Sequence, residues 1–365
     1  MRIKAAVATQ AQQPFVIEDL NMEPPRRHEV RVRVLGVGIC HTDIISKDQQ
    51  IPVELPAVLG HEGAGIVEAV GEDVTKVKVG DQVVMSYLSC GECPSCNEHA
   101  PSYCHQFAPL NFLGRRPDGS AGLSRQDAPV SGRFFGQSSF ASHALVDQRN
   151  VVKVDIDAQR LPLVGALGCG FQTGAGTIMN ALDCQSGDNV VIVGGGAVGM
   201  SAVIAASIRG CHTVLIEPNS QRRALAVELG AAAALAPDIP NLKEALSTHL
   251  SGGISKLFDT TGIAPAIEQF LPLLAPRATV GLVAAAEADS AIKLDITHLV
   301  LTGITVKGIL EGDADPDSFI PELIDHIKAG RFPVEKICKT FPLEQINKAI
   351  HEQKSAKFVK AVLIP

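Results

Sequence analysis

Asn189-Val190-Val191-Ile192-Val193-Gly194-Gly195-Gly196-Ala197-Val198-Gly199 is the stretch on which the fold turns. Its first half is a nearly continuous apolar run, as in a strand buried on both faces. Its second half places Gly194, Gly196 and Gly199 in G-x-G-x-x-G spacing, and Gly199 to Arg209 reads as a helix of alanines and small residues. A glycine turn between such a strand and a helix lets a pyrophosphate approach the backbone, and the helix N-terminus offers it free N–H groups. The next apolar run, His212 to Glu217, ends on a carboxylate about 20 residues on, where it can accept hydrogen bonds from ribose hydroxyls. A 2′-phosphate would meet a like charge there, so NAD is predicted over NADP; Arg222, in the following helix Ser220 to Leu229, softens that preference. Met200 follows Gly199 where a nucleotide-triphosphate loop would carry lysine.

Working outward, strand-like and helical runs alternate from about residue 160, with further strands at Lys256–Asp259 and Ala278–Val283. That alternation predicts an α/β fold with a doubly wound parallel sheet. The first ninety residues have a different texture. Met1–Val7 looks like an opening strand, Glu29–Val34 alternates polar with apolar, and Gly65–Gly71 and Gly80–Val84 are strands set off by glycine turns. Residues 90–136 are rich in Gly, Pro and Ser and show little periodicity, so they need a local organiser. Past about residue 310 the texture turns mixed again and ends in a strand at Phe358–Leu363. The chain thus falls into three segments: 1–165, with a lobe at about 88–110; a nucleotide-binding domain at 166–310; and 311–365, which rejoins the first.

Composition narrows the function. The chain has 365 residues, 46% hydrophobic and 19% charged, enough apolar material for two cores. A formal net charge of −7 with no dense basic run argues against nucleic acid as the main partner. No run of about 20 apolar residues suggests a membrane span. The opening residues are too soon interrupted by charge to be a secretory leader, so a cytoplasmic protein is predicted.

Among the nine cysteines, Cys90, Cys93, Cys96 and Cys104 read C-x2-C-x2-C-x7-C. Four thiolates so spaced close a tetrahedral zinc site with no open position, and would pin a loop too poor in apolar residues to organise itself. Thiolates require a reducing compartment. Cys184, Cys211 and Cys338 show no evident partners and read as small buried residues.

Gly38-Ile39-Cys40-His41-Thr42-Asp43, then Gly60-His61-Glu62-Gly63-Ala64-Gly65, then Gly168-Cys169-Gly170 resemble the zinc-containing medium-chain alcohol dehydrogenases along essentially the whole chain. Phe134-Phe135-Gly136-Gln137-Ser138-Ser139-Phe140 and Glu311-Gly312-Asp313-Ala314-Asp315-Pro316 narrow the likeness to bacterial benzyl- or aryl-alcohol and geraniol-type dehydrogenases. The resemblance implies a Rossmann coenzyme domain beside a mostly-β, GroES-like catalytic domain. It makes Cys40, His61 and Cys169 ligands of a catalytic zinc with a fourth position open, and the four clustered cysteines ligands of a structural zinc, two Zn2+ per chain. An open zinc lowers the pKa of a bound hydroxyl, so an alkoxide can form near neutral pH and pass a hydride to nicotinamide. Asp43 resembles the carboxylate that fixes the zinc histidine, Glu62 the acid behind the metal, and Thr42 the hydroxyl that takes the alcohol proton. Thr173 and Val198 match positions lining the nicotinamide, and His41 and Lys360 match contacts to the pyrophosphate. Some members end the proton relay with a histidine where this chain has Ile45, which carries no proton.

By the same resemblance, Ile51, Ser86 or Tyr87, Leu110, Phe134, Phe135 and Leu310 line a substrate cleft between the domains. Their apolar character favours a hydrophobic primary alcohol, aromatic or allylic, such as benzyl alcohol or geraniol, oxidised reversibly to the aldehyde. A zinc polyol or formaldehyde dehydrogenase is the rival on the same fold; a non-enzymatic zinc- and nicotinamide-binding protein is the rival from another class. The family's members are homodimers or homotetramers, and Leu299–Leu301 with Ile304–Val306 are the candidate interface.

Overall fold

In the computed structural model, which describes residues 1–286 and 289–365, the chain divides into two units. The first is Met1–Gly170 with Asp315–Pro365, the second Phe171–Ala314. The breaks fall a few residues later than 165 and 310, because Gly170 is still tied to the first unit: its N–H donates to Glu62 Oε1 at 3.1 Å.

Strand Glu29–Gly38 is the spine of the first unit. It lies inside a seven-stranded sheet, antiparallel to Gly63–Val70, His143–Asp147 and Lys360–Ile364. Its register gathers distant residues at one end. Val37 pairs with Gly63, which sets the residues after Gly38 beside His61 and Glu62. Val362 pairs with Gly38, which brings Lys360 to the same end from the far end of the sequence. Segment Leu161–Gly168 lies across these strands, and only a glycine fits at 165, where a Cβ would stand 2.1 Å from Glu62 O. That approach delivers Cys169. The core includes Val30, Val32, Val67, Phe140 and Leu145, all at most 2% exposed.

A small closed barrel completes this unit, joining strands Arg2–Ala8, Val16–Met22, Gly122–Arg125, Ala128–Ser131 and Ala57–Val58. The hairpin Gly122–Arg125/Ala128–Ser131 lies in the region that showed no periodicity. Its strands are four residues long and carry Pro129, too short and too mixed for alternation to register.

The second unit is a six-stranded parallel sheet. Asn189–Val193 sits in its middle, flanked by His212–Ile216 and Ile254–Asp259. The chain winds outward from Asn189–Val193 to one edge through His212–Ile216 and Ala233–Leu235, then returns to build the other half through Ile254–Asp259, Leu274–Leu282 and Thr305–Gly308. The reversal falls beside Val193, so the glycine turn stands at the switch point, where open α/β sheets bind ligands. Gly194 has φ +99, and a Cβ on Gly199 would lie 1.8 Å from Gly194 O; the turn tolerates no side chain at either position. Helix Ala197–Arg209 comes next, buried along Gly199–Ala206. No helix among the described residues is long and apolar enough to cross a membrane.

Candidate metal centre and nucleotide turn

The residue before helix His41–Lys47 is Cys40, in extended conformation; its N–H donates to Asp43 Oδ2 at 2.9 Å, so the helix start orders the carboxylate. The other oxygen of Asp43 accepts from Gly60 N at 3.0 Å and from His61 Nδ1 at 2.9 Å. Asp43 and His61 are both fully buried. With Nδ1 committed, Nε2 is the free nitrogen; it is buried and has no hydrogen-bond partner among the described residues.

That nitrogen, Cys40 Sγ and Cys169 Sγ form a set whose ligand atoms all lie within 4.8 Å of one another. The Cys169 thiol, aided by His61, holds Cys40 well below the ordinary thiol value against the opposing effect of burial. Burial works to lower His61, yet Asp43 and Cys40 outweigh it and hold the imidazole well above its ordinary value. A metal dication takes its sulfurs as thiolates and its imidazole neutral, and supplies the positive charge that favours the Cys40 thiolate. Two sulfurs and one orphaned imidazole nitrogen, His61 Nε2, fit a zinc with three protein ligands.

Around this set the expected residues fall in different places. Thr42 Oγ1 is 3.7 Å from Cys40 Sγ. His41 is exposed and Ile51 half-buried. Phe134 and Phe135 are buried against His61: Phe135 stacks on the imidazole with centroids 4.3 Å apart, and Phe134 meets it edge-on at 5.6 Å. Lys360, expected to contact a pyrophosphate, pairs with Glu62. It is 2% exposed, and its ammonium donates to both oxygens of Glu62, at 2.8 and 2.7 Å, and to Ile39 O at 3.1 Å. Three donors are thereby matched to three acceptors. Burial pushes the Glu62 carboxyl above its usual range in spite of Lys360, and Glu62 keeps Lys360 charged although burial opposes it.

The four clustered cysteines form a second set whose sulfurs also lie within 4.8 Å of one another. Cys90 and Cys96 sulfurs are 3.9 Å apart, Cys93 and Cys96 3.5 Å. A tetrahedron with Zn–S bonds of about 2.3 Å has edges of about 3.8 Å, so the cage fits. Backbone N–H groups point at the sulfurs: Cys93 N at Cys90 Sγ (3.3 Å), Cys90 N at Cys104 Sγ (3.2 Å), His105 N at Cys93 Sγ (3.5 Å). Donors of this kind support thiolates rather than thiols. Asn111, fully buried, ties the following helix Phe107–Phe112 back to both backbone groups of Leu88, at 2.9 Å each.

In the second unit, Glu217 ends its strand under the glycine turn. Its Oε2 accepts from Gly195 N at 2.6 Å and its Oε1 from Asn219 N at 2.8 Å. Arg222 is half-buried one turn into the next helix, its N–H capped by Asn219. Val198 is half-buried, and Thr173 lies 3.4 Å from the Glu311 carboxylate. Leu310 is 38% exposed. Cys211, expected without a partner, donates its thiol to Gln185 O at 3.4 Å, and Cys184 is fully buried.

Sequence reasoning missed the polar residues that hold the metal set in place. Gln137, fully buried, donates to His61 O at 3.0 Å and to Ser86 O at 3.1 Å, and Asn150, fully buried, donates to Phe135 O at 3.0 Å. Gln137 stands in the quoted Phe134–Phe140 stretch, where a glutamine between a glycine and serines inside an apolar frame was the available signal.

Comparison with known proteins bears on the whole chain. Residues 26–156 match the alcohol dehydrogenase GroES-like domain, and residues 197–329 match the zinc-binding dehydrogenase domain. Geraniol dehydrogenase of Castellaniella defragrans is 44% identical over 364 residues, 99% of this chain and 97% of that protein. An alcohol dehydrogenase zinc-binding domain protein from Burkholderia ambifaria superposes with a TM-score of 0.97 at 43% identity, covering 100% of this chain and 99% of its own. Benzyl alcohol dehydrogenase from Acinetobacter calcoaceticus superposes with a TM-score of 0.95 at 37% identity, with the same coverage.

Proposed function

We propose a function from one premise: the chain belongs to the zinc-binding alcohol dehydrogenase family, and is an oxidoreductase with a GroES-like domain and a Rossmann domain. It oxidises a hydrophobic primary alcohol, aromatic or allylic, to the aldehyde, reversibly, with NAD as hydride acceptor. The observation that carries this is the set of Cys40, His61 and Cys169, with Nε2 buried and orphaned and Asp43 behind it. Zinc, when bound there, supplies a Lewis acid that lowers the pKa of an alcohol hydroxyl and polarises a carbonyl.

The chain's own residues supply the rest. Asp43 holds the His61 tautomer that leaves Nε2 free. Thr42 takes the alcohol proton. Lys360 sets a positive charge behind Cys40 that favours its thiolate, and its pairing with Glu62 leaves no bare buried charge. The glycine turn with Glu217 receives NAD, with Thr173 and Val198 toward its nicotinamide. Cys90, Cys93, Cys96 and Cys104 hold a second, structural zinc.

The substrate class is supported by two things. Relatives named for geraniol and for benzyl alcohol resemble the chain along its length. Phe134 and Phe135, with Phe112 packed on both, set an apolar aromatic cluster against His61. A homo-oligomer is supported by the edge strand Thr305–Gly308 and by Ile296, Val300 and Leu301 nearby in the chain, 76–80% exposed. Reduced zinc thiolates fit a cytoplasmic location.

Steady-state kinetics with NAD across benzyl alcohol, cinnamyl alcohol, geraniol, ethanol and sorbitol test the reading. The aromatic and terpene alcohols are expected to exceed ethanol in kcat/KM by at least about 100-fold, on the order of 3 kcal/mol of apolar burial. Equal values for ethanol and sorbitol would remove it.

A further inference from the structure

The loop after Arg133 contains three residues in the left-handed region, Phe135 (φ +50), Gly136 (φ +66) and Ser138 (φ +50). An aromatic residue rarely takes that conformation, and it persists only where surroundings enforce it. Here they do. Asn150 Nδ2 grips Phe135 O at 3.0 Å, Gly136 N donates to Arg133 O at 2.8 Å, and Ser138 Oγ accepts from Phe134 N at 2.9 Å. Gly136 is itself wedged, since a Cβ there would stand 2.7 Å from Asn150 Oδ1.

What this backbone achieves is the placement of one ring. Phe135 lies on the His61 imidazole, 4.3 Å between centroids and 21° from parallel. Phe107 and Phe112, from the helix after the cysteine lobe, meet Phe135 edge-on at 6.2 and 5.3 Å, both at 87°. The ring therefore has the imidazole on its face and aromatic neighbours at its edges. Two positions further on, Gln137 donates to His61 O and accepts from Gly63 N at 3.3 Å. Asp43 fixes Nδ1, but one hydrogen bond leaves the ring free to tilt about it. A stacked ring removes that freedom and aims Nε2.

We propose that Phe135, with Gln137, is a positioning residue for His61: the loop holds the imidazole in the plane that makes it a metal ligand. This rests on the reading of Cys40, His61 and Cys169 as a zinc site, and it gives Phe135 a task other than lining a substrate cleft.

The test is the rate at which zinc-loaded protein surrenders metal to a chromogenic chelator. The kinetic phase that disappears in Cys169→Ser reports this site. Phe135→Leu keeps the Cβ and the apolar volume but removes the ring face; it is expected to speed that phase by about 10-fold or more, the range for residues behind metal ligands. Phe134→Leu, which removes only an edge-on contact, should change it by less than about 3-fold, Phe135→Tyr should stay near wild type, and Gln137→Met should also speed it. Should Phe135→Leu fail to fold, Gln137→Met and Phe135→Tyr decide the matter in the same way. Equal release from Phe135→Leu and wild type, with only KM altered, would overturn the proposal and leave the zinc reading standing; so would equal acceleration by Phe134→Leu. A wild-type protein with no Cys169-dependent zinc would overturn the zinc reading and this proposal together.

Discussion

Lys360 Nζ lies 2.7 and 2.8 Å from the two carboxylate oxygens of Glu62, a fully buried pair joined across 298 residues of chain and set beside the candidate metal centre, where Glu62 also accepts from the N–H of Gly170, next to Cys169. Its ammonium also donates to the carbonyl of Ile39, next to Cys40. The pair is enforced by the antiparallel register of Gly38 with Val362.

Removing one partner leaves the other charge buried and unmatched. Lys360→Met is expected to cost about 3–5 kcal/mol in urea unfolding of the zinc-loaded protein. Lys360→Met combined with Glu62→Gln should recover much of that loss. A single variant within about 1 kcal/mol of wild type would mean that water reaches Glu62.

Glu29 gives the clearest pH dependence away from the metals. Burial works to raise its pKa, but hydrogen bonds from Arg116 and the charge of Arg133 outweigh it and hold the carboxyl below its ordinary value of 4.5. A depressed folded-state pKa contributes stability that is present above the unfolded value and is lost as pH falls through the folded one. Wild type should therefore lose stability more steeply than Glu29→Gln on acidification from about pH 5 to pH 3. Parallel curves of unfolding free energy against pH would contradict the pairing.

Cys104→Ser should lower bound zinc from two ions per chain to one by metal analysis. Loss of a structural metal belongs among the largest single-residue effects, so about 4 kcal/mol or more of stability should go with it. Helix Phe107–Phe112 begins three residues after Cys104, and limited proteolysis should open there first.

Glu217→Gln keeps an acceptor for Gly195 N–H while removing the charge. The ratio of kcat/KM for NAD to that for NADP is expected to fall by about 10-fold or more, since the 2′-phosphate no longer meets a carboxylate. An unchanged ratio would place coenzyme discrimination elsewhere.

Thr42→Val should retain zinc and lose at least about 100-fold in kcat, the range for a group that handles a proton in the transition state. Ile45, buried and apolar, offers no second station for that proton. Turnover near wild type would remove Thr42 from the relay.

Much of the fold was legible because it is written in local periodicity. The strand at Asn189–Val193 has the bounds its apolar run predicts, and helix Ser220–Glu228 ends one residue short of its own. The hairpin at Gly122–Ser131 was not legible, since four-residue strands with a proline carry no usable period. The two candidate metal-ligand sets were visible as well, one as a spacing and one as a resemblance, and each set meets within 4.8 Å.

The sequence by itself determined which residue types are present in chemically meaningful spacing: a glycine turn after an apolar run, four near cysteines, and the residues around Cys40, His61 and Cys169. Only the tertiary structure decided what stands behind them. Lys360 pairs with Glu62, Phe135 lies on the face of His61, and Gln137 grips the His61 carbonyl. Each of these joins residues at least 74 positions apart through sheet register and a left-handed loop, neither of which leaves a local pattern. The physical reason is desolvation: once a charge or an amide is buried it must take whatever partner the register delivers, and that partner is fixed by the folded sheet.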